Sequence, residues 1–393
     1  MRAPAVLLAA LLLAPAARAG EDLLAAETIE AKDVPGPLPS DPDAPLWDGL
    51  QASTVMAAPQ RAIRLHDRQA NAALAVAPAR PVAVRAATDG RDLAVVLDWS
   101  DAAEDRSLPD ATDVFGDGAA LELPLRFGPG LRLPYVGMGD DEMPVAVYFQ
   151  RAAAEGTVGR GAVAAGFGSL TRADLGGTRM ALRRDSGRRT WRAVFVRPLA
   201  AAASDLRQGL VPFAIAVWDG ARRERGGNKA LSSWKLLRLP RFPLDAAYAA
   251  EMSREMAPGE GGDLARGKLL VETICAACHD VGDKRIAPPG MAPDLTGIGA
   301  IATPGYLRES IVAPSAVIVP SPNRYQHQDR SRDAGATGTF PSDETFAWYR
   351  RDASGKKVSK MPAFGSLPGP DVAAIVSYLM TLGAEPPGAG RKP

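Results

Sequence analysis

The stretch VAVRAATDGRDLAVVLDW, residues 82–99, carries the clearest structural signal in this 393-residue chain. Val82, Val84 and Ala86 alternate, Asp89-Gly90 supplies a tight turn, and Leu93, Val95, Leu97 and Trp99 alternate on the return. Period-two apolar spacing on either side of Asp-Gly predicts a β-hairpin with one face turned to a core. Similar runs lie outward from it: Leu121-Leu123-Leu125, Val145-Val147-Phe149, Trp191-Ala193-Phe195, Phe213-Ile215-Val217 and Trp234-Leu236. Short strands divided by Gly- and Pro-rich turns, without helical stretches between them, predict an antiparallel sandwich over residues 46–241.

The character changes after that. Residues 242–261 read as a linker ending in a Gly-rich breaker. Asp263 then caps a helix running towards Cys275, and Gly369-Pro370-Asp371 opens another with Val372, Ile375, Val376, Leu379 and Leu382 on one face, stopped by Gly383. A polar insert lies between Pro320 and Lys360, and residues 385–393 read as a disordered tail.

At the other end, MRAPAVLLAALLLAPAARAG has a basic n-region, an apolar core and the small-x-small pattern Ala17-Arg18-Ala19. This is the pattern of a signal peptide over residues 1–19, so the chain is expected to be exported, in a bacterium to the periplasm. Residues 20–45 read as an irregular N-terminal segment. No later run is long and apolar enough to predict a transmembrane helix. The whole chain has 46 basic and 45 acidic residues; without Arg2 and Arg18 the net charge becomes −1. Such a balance offers nucleic acid no electrostatic footprint.

Both cysteines and one of the three histidines fall in TICAACHD, residues 273–280. In Cys-x-x-Cys-His, two thiols one helical turn apart add to the vinyl groups of one haem edge, and the adjacent imidazole meets the iron. Cys275 and Cys278 are therefore read as the covalent anchors of haem c, and His279 as its proximal ligand. A zinc site would need further Cys or His nearby, and a thioredoxin-like site a βαβ setting. The distal candidates are Met291, His327, Met361 and Met380. Met361 stands in a Pro-containing loop, Lys-Met-Pro-Ala-Phe-Gly, that can present a thioether without breaking a regular element, whereas Met380 belongs to the terminal helix.

CAACH, Ala-Pro-Asp-Leu-Thr-Gly-Ile-Gly (292–299), Tyr-Leu-Arg-Glu-Ser-Ile (306–311), Met-Pro-Ala-Phe and Ile-Val-Ser-Tyr-Leu follow in the order of the class I cytochrome c family, which residues 262–384 resemble. The resemblance implies an all-α domain with His279 and Met361 on the haem c iron.

The front part has no cysteine left for an iron–sulfur cluster or a blue-copper site. A second redox centre there would draw on His66, Met56, Met138, Met143, Met180 or a neutral lysine. Lysine is scarce: of nine in the chain, against thirty-seven arginines, only Lys229 and Lys235 fall between residues 41 and 245. A buried lysine can lose its proton and bind a metal, whereas guanidinium cannot.

Tyr135-Val136-Gly137-Met138-Gly139, Pro144 to Phe149, Trp191 to Phe195 with Arg197-Pro198-Leu199, and Ala216 to Gly220 followed by Glu224-Arg225, Lys229 and Ser232-Ser233-Trp234 resemble a second family. It is the haem b-binding γ subunit of type II dimethyl-sulfoxide-reductase-like molybdoenzymes, the ethylbenzene dehydrogenase γ type. The resemblance implies a DOMON-like sandwich holding a non-covalent haem b between Met138 and Lys229, with Lys235 or His66 as substitutes for the lysine. The expectation is thus a multidomain, non-catalytic electron-transfer subunit. It would connect a molybdopterin catalytic subunit and its iron–sulfur subunit with a soluble or membrane cytochrome. The competing reading is a ligand- or sugar-binding sandwich without haem b, fused to a one-haem cytochrome that serves a separate dehydrogenase.

Overall fold

The computed structural model describes residues 24–61, 68–201, 203–257, 262–282, 284, 286, 291–318 and 348–383. The signal-like segment, His66, His327 and the tail lie outside the described residues.

The N-terminal part contains β1 (Thr28–Glu30), β2 (Lys32–Asp33), β3 (Ser53–Pro59), β4 (Arg80–Thr88), β5 (Asp92–Ser100), β6 (Gly118–Pro124) and β7 (Val145–Ala153). It continues with β8 (Gly156–Ala164), β9 (Thr171–Arg172), β10 (Arg179–Asp185), β11 (Thr190–Pro198), β12 (Leu210–Trp218), β13 (Ala230–Leu231) and β14 (Lys235–Arg238). The expected hairpin is β4–β5, with Thr88 opposite Leu93. Gly90 takes φ +86°, and the Asp89 carboxylate accepts from the amides of Arg91 and Asp92, which closes the turn.

Two separate sheets were expected; the strands instead form one antiparallel path, β10-β11-β5-β4-β3-β13-β12-β6-β7-β8-β9. The two-residue β13 pairs with β3 on one side and β12 on the other, joining the halves. The path curls into a half-barrel, bringing β10 against β7 and β8. Leu97, Leu121, Tyr148, Trp191, Phe195 and Phe213 fill the space between the halves. Each such side chain contributes about 1.5–3 kcal/mol on burial.

Residues 20–45 are not simply irregular. β1 runs parallel to β14 and β2 parallel to β4. Leu38, with Trp47 of the short helix α1 (Pro45–Asp48) and Leu50, covers Ala94, Val96, Val194 and Val196 on the outer sheet face. A helix, α2 (Arg68–Ala75), also interrupts the run between β3 and β4, contrary to expectation. The expected linker holds another, α3 (Ala246–Met256), capped by Asp245 and burying Tyr248, Met252 and Met256. Its apolar side chains at i, i+4 and i+8 give it a face that water would penalise, so it packs rather than spans.

The C-terminal part contains α4 (Leu264–Thr273), α5 (Pro304–Val312) and α6 (Gly369–Thr381). The Asp263 carboxylate accepts from the amides of Ala265 and Arg266, as its position predicts. The region is not purely helical: β15 (Tyr349–Arg351) and β16 (Lys357–Ser359) form a hairpin within the expected insert. α4 and α6 cross at Gly267 and Ala374 with their backbones nearly in contact.

Candidate haem-binding sites

α4 runs straight into a 3-10 turn, Cys275–Ala277, in which the amides of Cys278 and His279 both donate to the Cys275 carbonyl. The turn gathers both thiols and the imidazole at one helix end. Neither cysteine is in a disulfide. His279 is 9% exposed, and its Nδ1 lies 2.7 Å from the Pro293 carbonyl oxygen. A carbonyl only accepts, so Nδ1 carries the proton and Nε2 keeps its lone pair for a metal. Burial holds the imidazole below its usual pKa, favouring the neutral form a ligand needs, while the Pro293 hydrogen bond acts the other way. The donor set fits a covalently anchored haem.

Met361 lies half-buried in the loop between β16 and α6, its amide donating to Ser359 Oγ at 3.1 Å. Phe364, three residues on, donates its amide to the Ile311 carbonyl and ties this loop to α5. Met291 is 50% exposed, and Met380 packs against the core from α6.

The second site is assembled across 91 residues of sequence, with Lys229 Nζ 3.7 Å from Met138 Sδ. Met138 sits at φ +90°, a conformation that strains a non-glycine residue. The surrounding loop enforces it. Gly139 donates to the Tyr135 carbonyl and Gly166 to the Met138 carbonyl, each at 2.8 Å. Arg132 grips the Asp140 carboxylate at 2.7 and 2.9 Å, and that carboxylate also accepts from the amides of Tyr135, Glu142 and Met143. A Cβ on Gly137 would fall 2.5 Å from the Tyr135 ring, so glycine is required for this close approach.

Lys229 is 6% exposed and its ammonium lies 5.4 Å from the centre of the Trp218 ring. Glu122, at the middle of β6, is its buried neighbour, and one Glu122 carboxylate oxygen has no hydrogen-bond partner. Burial lowers the lysine pKa against the pull of Glu122. Burial also pushes the Glu122 carboxyl up to about 8, with Lys229 and the Met138 amide acting in the opposite sense. Both shifts favour the uncharged pair, because desolvation outweighs the ion-pair attraction. The site therefore brings together a thioether and an amine whose burial favours its neutral form. By register, Ala214, Ala216, Ala120, Glu122, Val147 and Phe149 share one sheet face, giving a small-residue floor beside larger walls. A thioether and an amine are donors suited to a haem iron.

The other described candidates lie elsewhere. Lys235 forms an ion pair with Glu27 at the β14 edge. Met56 is 48% exposed; Met143 is buried with its Sδ against Arg126; Met180 is half-buried on β10 near Gly159. Glu122 was not expected from sequence. Its signal was available: a lone carboxylate inside Gly-Ala-Ala-Leu-Glu-Leu-Pro, every residue of which is buried.

The two sites are mechanically joined. Tyr135, three residues before Met138, packs its ring 5.5 Å from Tyr306 of α5 and 5.6 Å, edge-on, from Phe167. Lys357 of β16 pairs with Asp141. Glu255 of α3 accepts from the Thr303 hydroxyl and, at 3.2 Å, from the Tyr306 amide at the start of α5. A water-sized cavity lined by Arg132, Tyr135, Trp234, Glu255, Thr303 and Tyr306 lies at this junction.

Residues 264–383 match the cytochrome c family model, and this segment is a cytochrome c domain. Two curated relatives extend over the N-terminal part. One, named as a respiratory nitrate reductase heme subunit ORF7 of Haloferax mediterranei, is 30% identical over 155 residues, 38% of this chain and 53% of that protein. The other, chlorate reductase subunit gamma of Ideonella dechloratans, is 38% identical over 161 residues, 39% of this chain and 62% of that protein. The chain thus spans between half and two thirds of the length of the curated relatives it matches. Among solved structures, a carbohydrate binding module family 9 from Caldicellulosiruptor kristjanssonii in complex with cellotriose is 9% identical with a TM-score of 0.32, covering 56% of this chain and 96% of that chain.

Proposed function

We propose that this chain is an exported two-haem electron-transfer protein, a haem b-binding half-barrel of the type II molybdoenzyme γ kind joined to a His/Met cytochrome c domain. The observation that carries it is the buried Met138–Lys229 pair, 3.7 Å apart, with the lysine biased towards its neutral form. The names of the two relatives, haem or gamma subunits of nitrate and chlorate reductases, support the same assignment.

Haem supplies reversible one-electron chemistry when bound, and the chain's task is to hold it, exclude water and set its potential. Met138 and Lys229 would hold haem b, while Cys275 and Cys278 would anchor haem c and His279 and Met361 would ligate its iron. With two iron ligands from the chain assigned at each site, the chain's role would be to relay electrons rather than to catalyse. The Arg132–Asp140 lock keeps the Met138 loop rigid, and the Pro293 carbonyl orients His279. Both limit rearrangement when charge changes. The Tyr135–Tyr306 contact joins the two halves beside the haem b loop.

Electrons would pass between the iron–sulfur subunit of a molybdopterin enzyme and the haem b half. The cytochrome domain would exchange them with a soluble or membrane cytochrome in the periplasm. None of the described helices is long and apolar enough to cross a membrane, in keeping with attachment through partners. Pyridine haemochrome analysis of the exported protein tests the proposal. Two distinct α-bands are expected, with one haem extractable by acidified acetone and no carbon monoxide binding by the reduced protein. A single, non-extractable haem would refute it and favour a ligand-binding half-barrel fused to a one-haem cytochrome.

A further inference from the structure

Two guanidinium groups stand on the haem b face without an acid to pair them. β7 and β8 pair so that Phe149 faces Arg160 and Arg151 faces Val158. Strand alternation therefore puts Phe149, Arg151 and Arg160 on one sheet face, the face that carries Glu122, Ala120 and Trp218. Arg151 Cζ lies 5.2 Å and Arg160 Cζ 5.6 Å from the centre of the Phe149 ring. Phe149 in turn meets Trp218 edge-on at 5.1 Å, and Lys229 Nζ lies 5.4 Å from the Trp218 ring centre. A continuous ladder thus runs from the amine through two aromatic rings to the two cations.

Several other arginines of the half-barrel are engaged. Arg80 pairs with Glu224, Arg132 with Asp140, Arg222 with Asp219, and Arg85 and Arg192 share Asp98. Arg151 and Arg160 have no carboxylate or carbonyl partner among the described residues, and Arg151 Nε is buried without an acceptor. Burial and then the Arg160 charge hold Arg151 below its usual pKa. Two like charges on one ring repel each other, and the ring's weak attraction for each does not supply the missing counter-ion. Arg160 is exposed and Arg151 half-buried, so the pair is open to an anion that presents oxygens to both.

We infer that Arg151 and Arg160 form the carboxylate clamp for the two propionate groups of haem b. The inference rests on the two-haem reading above. A haem carries both carboxylates on one edge, a ring's breadth from its iron, and cations placed there would neutralise them. A pair of unengaged arginines at the end of the aromatic ladder meets that need, and bidentate guanidinium–carboxylate geometry suits it.

Haem b loss from the full, haem c-loaded chain to excess apomyoglobin tests the clamp, with the covalent haem c counting chains in each sample. Arg151→Gln and Arg160→Gln are each expected to speed haem b loss by about tenfold, the loss of one charge-assisted hydrogen bond, and the double variant by more. The haem b optical spectrum should keep its Met/Lys character, its midpoint potential should fall, and Arg→Lys at either position should rescue in part. Reconstitution with haem dimethyl ester should leave the wild type as leaky as the double variant. Unchanged loss rates in a double variant whose haem c spectrum and circular dichroism are native would overturn the clamp while leaving the two-haem reading intact. Equal retention of haem and its dimethyl ester would do the same. Wild-type protein that never carries haem b overturns the reading on which the clamp rests.

Discussion

Replacing Gly267 with alanine sets two known effects against each other, and the helix crossing decides between them. In an exposed helix the change stabilises by about 1 kcal/mol, because glycine loses more backbone freedom on folding. Here the added Cβ would stand 2.0 Å from the Ala374 carbonyl oxygen, 2.6 Å from its carbon and 2.9 Å from Tyr378 Cβ. Two of those atoms are α6 backbone, with no rotamer through which to retreat. α6 must withdraw by more than an ångström, loosening Leu270 and Val271 of α4 against Ile375 and Val376. Overpacking of this kind costs about 1–3 kcal/mol and sometimes more. A clash this short belongs at the upper end of that range, so with the propensity gain set against it the variant should lose about 2 kcal/mol, or roughly 6–12 °C in the melting temperature of a domain this size. Thermal unfolding followed through the haem c Soret circular dichroism measures it. Gly369→Ala serves as control: it lies in the first turn of α6 with nothing within 4 Å of its added Cβ, so its melting temperature should stay or rise slightly. A Gly267→Ala protein as stable as the wild type would refute a backbone-on-backbone crossing.

Two further predictions follow from buried groups. Lys229→Met should abolish the nitrogen ligation of haem b, seen in its optical and paramagnetic resonance spectra, and leave haem c unchanged. Lys235→Met should leave haem b untouched and cost under about 1 kcal/mol, since its ion pair with Glu27 is partly exposed; identical spectra for Lys229→Met and the wild type would count against the assignment. Glu255 is held above its usual pKa, chiefly by burial at the α3–α5 junction and against the Thr303 hydrogen bond. The folded chain therefore binds this proton more tightly than the unfolded one. The associated stability is full below the ordinary carboxylate range and is lost as the pH rises through the raised value. Glu255→Gln keeps an acceptor for Thr303 and Tyr306, so it should flatten the decline of melting temperature with rising pH; an unaltered slope would exclude Glu255 as its source.

What the amino-acid sequence determined by itself was local. The Asp89-Gly90 turn, the Asp263 cap, the haem c attachment turn and the span of α6 each depend on a few adjacent residues, whose conformational preferences persist in any surroundings. The resemblance to known haem subunits singled out Met138 and Lys229. What separated Lys229 from Lys235 was tertiary. Both directly precede a short apolar β-sequence, yet one turns inward beside Glu122 and Trp218 while the other meets Glu27 on the β14 edge. Burial is a sum over residues distant in the chain, so no local pattern reports it. The same reason hid the single curled sheet, whose joint is the two-residue β13, and the packing of α3, whose sequence resembled a linker. It also hid the electrostatic character of Glu122: a carboxylate reads as solvent-facing until the strands around it remove the water.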